Sequence, residues 1–271
     1  MFVAMTCIVI GDTAGKILTQ QGVSPLFVAW TRFALAGLVL LPFMGLQADD
    51  LRAVRDPLVW LRALLIAGGI VCILTSLRTE PVANAFGAMF INPIVAFGLA
   101  AVFLKERVTV TRSVLLIAGF IGVLLVVKPG FGFTPGLGFA LSAGLLYGAF
   151  LTTTRAVAQK YRPRLLLISQ LLIGSVLLAP MGLSVLPTAI SLPMFGFILL
   201  SALASAAGNL LVVMASKTSP NTTIAPLIYL QLISATAIGY MVFGDWPDPI
   251  SFLGLSVIFA AGMSSLALSR R

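Results

Sequence analysis

Residues 80–106 read EPVANAFGAMFINPIVAFGLAAVFLKE, and from Pro81 to Leu104 the stretch carries no charge. As a helix such a run is long enough to cross a bilayer's hydrocarbon core, about 30 Å thick. Yet it holds two prolines, Pro81 and Pro93, and two asparagines, Asn84 and Asn92. A plain anchor has no use for an amide beside a helix breaker at its midpoint. The stretch reads as a spanning helix with a task inside the membrane.

The rest of the chain asks for the same solvent. Hydrophobic residues make up 59% of the 271 and charged residues 9%, with a mean hydropathy of +1.10. Soluble domains carry about 25% charged residues to cover their surface. Cutting the sequence at Pro, Gly and charged punctuation into lengths of about 20 residues gives ten spans. They fall roughly at 1–18, 25–44, 57–77, 81–104, 109–127, 135–154, 164–185, 193–216, 221–243 and 249–268. The runs are continuously apolar rather than alternating, which rules out a β-barrel reading. The first has no basic segment before it and holds Asp12 and Lys16, so it reads as a retained helix rather than a cleaved leader.

Charge placement orients the spans. Of 17 basic residues, Lys16 and Arg32 lie within spans, and an inside N-terminus leaves only Arg78 and Lys128 outside. The other thirteen, Arg62 and Lys105 among them, then fall on the cytoplasmic side, as the positive-inside rule requires. Both termini are expected in the cytoplasm. The net charge of +9 therefore reports topology, and no nucleic-acid partner is expected.

Several chemistries are excluded early. There is no histidine, and the two cysteines, Cys7 and Cys72, sit in apolar runs. Zinc sites, Ser–His triads and haem ligation by His lack their ligands, so no metal or cofactor is expected. No G-x-x-x-x-G-K-[ST] motif occurs, so the chain does not hydrolyse nucleotide itself. An aspartyl enzyme fails on distance: Asp12 falls deep in the membrane and Asp245 at the outer surface. No catalytic residue is expected.

The chain also repeats. A shift of 139 residues lays Pro81 on Pro220, Phe90 on Tyr229, Asn92 on Gln231, Ile94 on Ile233, Ala96 on Ala235 and Glu106 on Asp245. The stretches VIGDTAGK (9–16) and LYGAFLTT (146–153) pair Gly11 with Gly148 two residues out of that register. Two units result, 1–130 and 131–271, each of five spans. An odd number inverts the second unit, the arrangement in which carriers bind substrate at the midplane. The expected fold is all-α, with ten transmembrane helices as two inverted five-helix repeats.

Depth arithmetic selects site candidates. At 1.5 Å per residue, Phe90 and Asn92 fall about 15–18 Å down the fourth span, and Tyr229 and Gln231 reach a similar depth from the other side. Pro93 frees the carbonyl of Met89, and Pro226 acts similarly in the ninth span. Both are expected to kink their helices. Intramembrane amides also join helices without binding anything. Asp12 and Arg32 share one depth by the same arithmetic, and Lys16 lies one turn from Asp12 on the same face. Charges there face the interior and find partners. The cluster reads either as a substrate or proton site or as a structural salt bridge. Tyr147, Phe150, Trp30 and Asn209 are further candidates for a cavity wall. Small residues four apart, such as Gly11/Gly15 and Gly144/Gly148, mark close helix packing. The segments KERVT (105–109) and GDWPD (244–248) read as helix-end chemistry at an interface.

At these residues the chain resembles a known family. TEPVANAFGAMFINPIVAFGLAAVFLKERVT, followed by IAGFIGVLLVVKPG, looks like the EamA-type repeat of the drug/metabolite transporter superfamily. FGDWPD in the second repeat departs from that repeat's usual basic–Glu–Arg ending. The resemblance implies a ten-helix carrier of the inner membrane and adds Asn84 to Phe90, Asn92, Asn209, Tyr229 and Gln231 as candidates for the cavity wall. The expected function is secondary active transport, by alternating access, of a small polar organic metabolite such as an amino acid, vitamin, nucleotide-type compound or drug. The competing reading is a lipid-moving or non-transporting membrane scaffold. Expected partners are the small-molecule substrate and the lipid bilayer, with a proton, a counter-substrate and a homodimer as further candidates.

Overall fold

A computed structural model describes residues 1–45, 53–80, 82–127, 134–244 and 249–269. In it the opening stretch is two helices rather than one kinked helix. The described residues form α1 (Phe2–Gln20), α2 (Pro25–Leu40, extended by a 3-10 turn at Leu41–Phe43) and α3 (Pro57–Thr79). Next come α4 (Val82–Met89), α5 (Asn92–Phe103), α6 (Val110–Val127), α7 (Pro135–Ala158) and α8 (Pro163–Leu183). The chain closes with α9 (Leu192–Thr218), α10 (Asn221–Ile228), α11 (Gln231–Phe243) and α12 (Pro249–Ser269). No strand occurs among the described residues.

Polar caps followed by proline start many of these helices. Ser24, Asp56, Thr134 and Ser191 each accept a hydrogen bond from a backbone N–H of the first turn, with a proline at its start. The cap fills a donor the helix leaves orphaned, and proline there has no N–H to waste.

Eight of the ten expected spans are long and apolar enough to cross a membrane, counting α4–α5 and α10–α11 as single spans. The remaining two spans fall on α6 and α12, which carry the apolar stretches Val110–Val126 and Pro249–Ser265. Leu38, Phe103, Val110, Leu192 and Met241 are strongly exposed. Water-soluble proteins rarely present so much bare apolar surface, whereas lipid accepts it.

The two broken spans match in register. α4 ends before Phe90 and Ile91, and α10 ends before Tyr229 and Leu230, the same offset of 139 residues. At the first break Pro93 opens α5, and the Asn92 Nδ2 donates to the Met89 carbonyl at 2.9 Å. The amide supplies the hydrogen the proline lacks. Pro226 lies inside α10, and Leu232 occupies the position matching Pro93. The second break therefore forms without a proline beside it. Tightened turns carry it instead: Leu230, Leu232 and Ile233 donate to Leu227, Tyr229 and Leu230 at 3.2, 3.0 and 3.2 Å. On α7, a Cβ on Gly144 or Gly148 would lie 2.6 Å from the Met89 carbonyl or 2.8 Å from that of Asn92. Glycine there lets α7 seat directly on the broken backbone.

Helix packing is reciprocal. α1 lies along α9 and α3 along α7; α2 packs on α8 and α6 on α12. α2 also touches α9, as α3 touches α8; α4 and α5 rest on α7, as α10 and α11 rest on α1. Exchanging the first five spans with the last five leaves these pairs unchanged.

Candidate functional site

The centre of the bundle is organised by Asp12 and Arg32. α1 and α2 form a hairpin that turns at Gln21–Ser24, with Gly22 at φ +87°. The two side chains sit eight and seven residues from the hairpin ends of their helices, which returns them to one level. Arg32 Nη1 donates to Asp12 Oδ1 at 2.6 Å, Nη2 to the Gly11 carbonyl at 2.7 Å and Nε to Ser201 Oγ at 2.8 Å. Ser201 Oγ donates to the same Gly11 carbonyl at 2.8 Å. One guanidinium thus joins α1, α2 and α9. Gly15 makes room for it, since a Cβ there would stand 2.6 Å from Arg32 Nη2. Both charges are buried, Arg32 at 3% and Asp12 at 6% exposure. Paired and hydrogen-bonded, they meet the condition for holding ions away from water.

Asp12 and Arg32 line a cavity of about 30 Å³, room for roughly one or two waters. Its polar wall is completed by Tyr147 of α7 and by Ser205 and Asn209 of α9; isoleucines of α3 and Met89 make the apolar wall. Asn209 Nδ2 donates to the Ser205 carbonyl at 2.9 Å, while Asn209 Oδ1 and the Tyr147 hydroxyl are buried without partners. The pocket therefore offers a carboxylate, a phenol and an amide carbonyl inside the bundle.

The other expected wall residues lie elsewhere. Phe90 and Tyr229 do meet, edge to face with ring centroids 6.1 Å apart, but they pack in the core outside the cavity. Tyr229 is further enclosed by Phe120 at 6.5 Å and by Gly119, where a Cβ would come within 2.5 Å of the ring. Asn92 and Gln231 are buried as the first residues of α5 and α11. Asn92 serves its own backbone; its Oδ1 and the Gln231 Nε2 are unpartnered. Lys16 is half-buried one turn from Asp12 and does not line the cavity. Asn84 belongs to α4, but its side chain lies outside the described residues, as do residues 245–248 of GDWPD.

The helix-end reading of KERVT acquires definite partners. Glu106 accepts from the backbone N–H groups of Asn221 and Thr222 at 3.1 and 2.9 Å and pairs with Arg155 at 3.5 Å. It caps α10 from outside that helix. Sequence reasoning missed Ser201 and Ser205. Their signal was a polar ladder, Ser201, Ser205 and Asn209, at four-residue spacing on one face of an apolar helix.

The fold is that of a membrane protein with a charged pocket inside an apolar helical bundle. The EamA-like transporter family matches the chain twice, over residues 1–128 and 134–265, and the chain belongs to that family. Its place is among transporters, not enzymes. It is similar to an S-adenosylmethionine uptake transporter of Rickettsia bellii, 27% identical over 239 residues, covering 86% of this chain and 81% of that one. It is also similar to a riboflavin transporter of Rhizobium johnstonii, 27% identical over 249 residues, covering 87% and 78%. A solved crystal structure superposes with a TM-score of 0.79 over 99% of this chain and 96% of the other. At 16% identity that likeness concerns the fold alone.

Proposed function

We propose that this transporter is a secondary carrier of the inner membrane, with both termini cytoplasmic, that moves a small polar metabolite by alternating access. The observation that carries the reading is the make-up of the cavity. The first half of the chain supplies Asp12, Arg32 and Met89, and the second supplies Tyr147, Ser205 and Asn209. A site shared by two halves changes its access when one half moves against the other. Reciprocal helix packing and the matched breaks at Phe90 and Tyr229 support reading the halves as inverted five-helix repeats. A cavity of about 30 Å³ is far smaller than an organic ligand needs, so the site must widen to take one.

S-adenosylmethionine and riboflavin, the cargo named for the two relatives, are the first candidates. The test is uptake of each labelled compound into proteoliposomes, with and without a pH gradient, alongside Asn209→Ala and Tyr147→Phe. Saturable uptake that both substitutions weaken, in protein that stays folded, is the expected result. Saturable uptake untouched by either moves the site elsewhere. Failure of both compounds and of a wider metabolite panel turns the question to lipid movement or scaffolding.

A further inference from the structure

Arg62 is fully buried on α3. By sequence it counts as one more cytoplasmic helix-end charge, but the bundle encloses it. Nε donates to Thr154 Oγ1 of α7 at 2.8 Å, and Nη1 donates to the Leu166 carbonyl of α8 at 2.6 Å. The guanidinium carbon sits 5.0 Å from the centre of the Phe150 ring, a cation–π contact that takes up its face. Nη2 is buried and has no partner. Both contacts are neutral acceptors, and arginine does not shed its proton to escape burial. An unfilled charged donor in apolar surroundings is a standing cost.

No carboxylate among the described residues is available to it. Asp12 holds Arg32, Asp56 caps α3 and accepts from Tyr161, Glu80 accepts from Thr134, and Glu106 caps α10. Val59 and Ala63, beside Arg62 on α3, pack in one apolar cluster with Val157, Leu166 and Val213, and the Leu166 carbonyl is the acceptor of Nη1.

Its position continues the cavity wall. Arg62, Ile66, Ile70 and Ile73 share one face of α3, and the three isoleucines line the cavity. On α7, Tyr147 lines the cavity, its ring centroid lies 5.5 Å from that of Phe150, and Thr154 holds Arg62. On α9, Asn209 lines the cavity, Val213 joins the cluster around Arg62, and Ser216 Oγ beyond it is buried without a partner. Three helices thus carry unfilled polar groups from the Asp12–Arg32 cavity toward the end of the bundle where α3 begins.

We propose that Arg62 is an anion subsite that takes a carboxylate of the transported molecule between the cavity and that end of the bundle; the proposal rests on the carrier reading. With one face covered by Phe150, Nε taken by Thr154 and Nη1 by Leu166, the unpartnered part of the guanidinium is its buried Nη2. A single positive charge with one open edge matches one planar monoanion.

The test uses the purified full chain in detergent, with sodium benzoate as probe and benzamide as its neutral counterpart, at constant ionic strength. Benzoate is expected to raise the melting temperature of the wild type saturably, and benzamide is not. Arg62→Gln should raise the apparent Kd for benzoate by about tenfold or more, the loss of one charge-assisted hydrogen bond. If Arg62→Gln does not fold, Arg62→Lys keeps the charge without the fork and should show weakened binding. Equal effects of benzoate and benzamide on the wild type, or benzoate binding unchanged in whichever Arg62 variant folds, overturn the proposal. Uptake measured on the same preparation keeps the two readings apart. Benzoate binding without transport of any solute leaves the subsite and removes the carrier. Transport without a benzoate effect does the reverse.

Discussion

Replacing Asp12 by Asn tests what the central ion pair does for the fold. The substitution keeps the size of the side chain and removes its charge. Arg32, 3% exposed, would then keep only neutral acceptors: the new amide oxygen, Ser201 Oγ at 2.8 Å and the Gly11 carbonyl at 2.7 Å. Breaking a buried pair by removing one partner costs about 3–5 kcal/mol, because the remaining charge is uncompensated. The surviving neutral hydrogen bonds put this case near the lower end, about 3 kcal/mol. For a chain of this size that corresponds to a fall of about 6–12 °C in melting temperature. Thermal unfolding in detergent, followed by intrinsic fluorescence, reads it directly. The double variant Asp12→Asn/Arg32→Met removes both charges and should recover part of the loss, since apolar replacement of a whole buried pair is often near neutral. A single variant melting within about 1 °C of the wild type, or a double variant less stable than the single, would refute the reasoning.

Three further outcomes follow from the same geometry. Gly119→Ala places a Cβ 2.5 Å from the Tyr229 ring, which Phe90 and Phe120 hold in place, and should cost about 1–3 kcal/mol by overpacking; the melting temperature checks it, and Tyr229→Leu in the same chain should relieve it. Asn92→Ala orphans the Met89 carbonyl for about 1–3 kcal/mol. Asn92→Asp should fare no better, because an ionised carboxylate has no hydrogen to donate. Glu106→Ala strips the cap from α10 for about 0.5–2 kcal/mol, and hydrogen exchange at the amides of Asn221 and Thr222 should accelerate.

The membrane character, the positions of the apolar segments and the register linking Phe90 to Tyr229 were all legible in the sequence. These rest on composition, length and spacing, which tertiary packing does not alter. The pairing of Asp12 with Arg32 was legible in part: their shared depth brings the charges together, but Lys16, one turn from Asp12, offered a rival that depth alone does not dismiss. The wall of the cavity was only partly legible. Asn92 has the right depth, but its amide turns back to the carbonyl that Pro93 frees, and spacing cannot say which way an amide turns. Ser201 and Ser205 look ordinary in a membrane helix until Arg32 arrives from α2. Arg62 was hidden by a counting rule: a basic residue near a helix end scores as a loop charge, whereas the rotation of α3 against α7 decides whether it sees water. The break before Leu230 had no proline to mark it.

The two short helices at the breaks have a mechanical consequence. Eight residues make a rod of only about 12 Å, too short to hold its own shape in isolation. α4 and α10 are therefore as firm as whatever they lean on. α4 leans chiefly on α7, and α10 chiefly on α5. Each short rod is covalently part of one half of the chain and braced by the other. α4 thus answers to α7 through packing and to α5 only through Phe90 and Ile91, the two residues between them. The same holds for α10 on α5, with Tyr229 and Leu230 as the joint. The backbone itself is divided at these two joints, one within each of the two matched segments of the family.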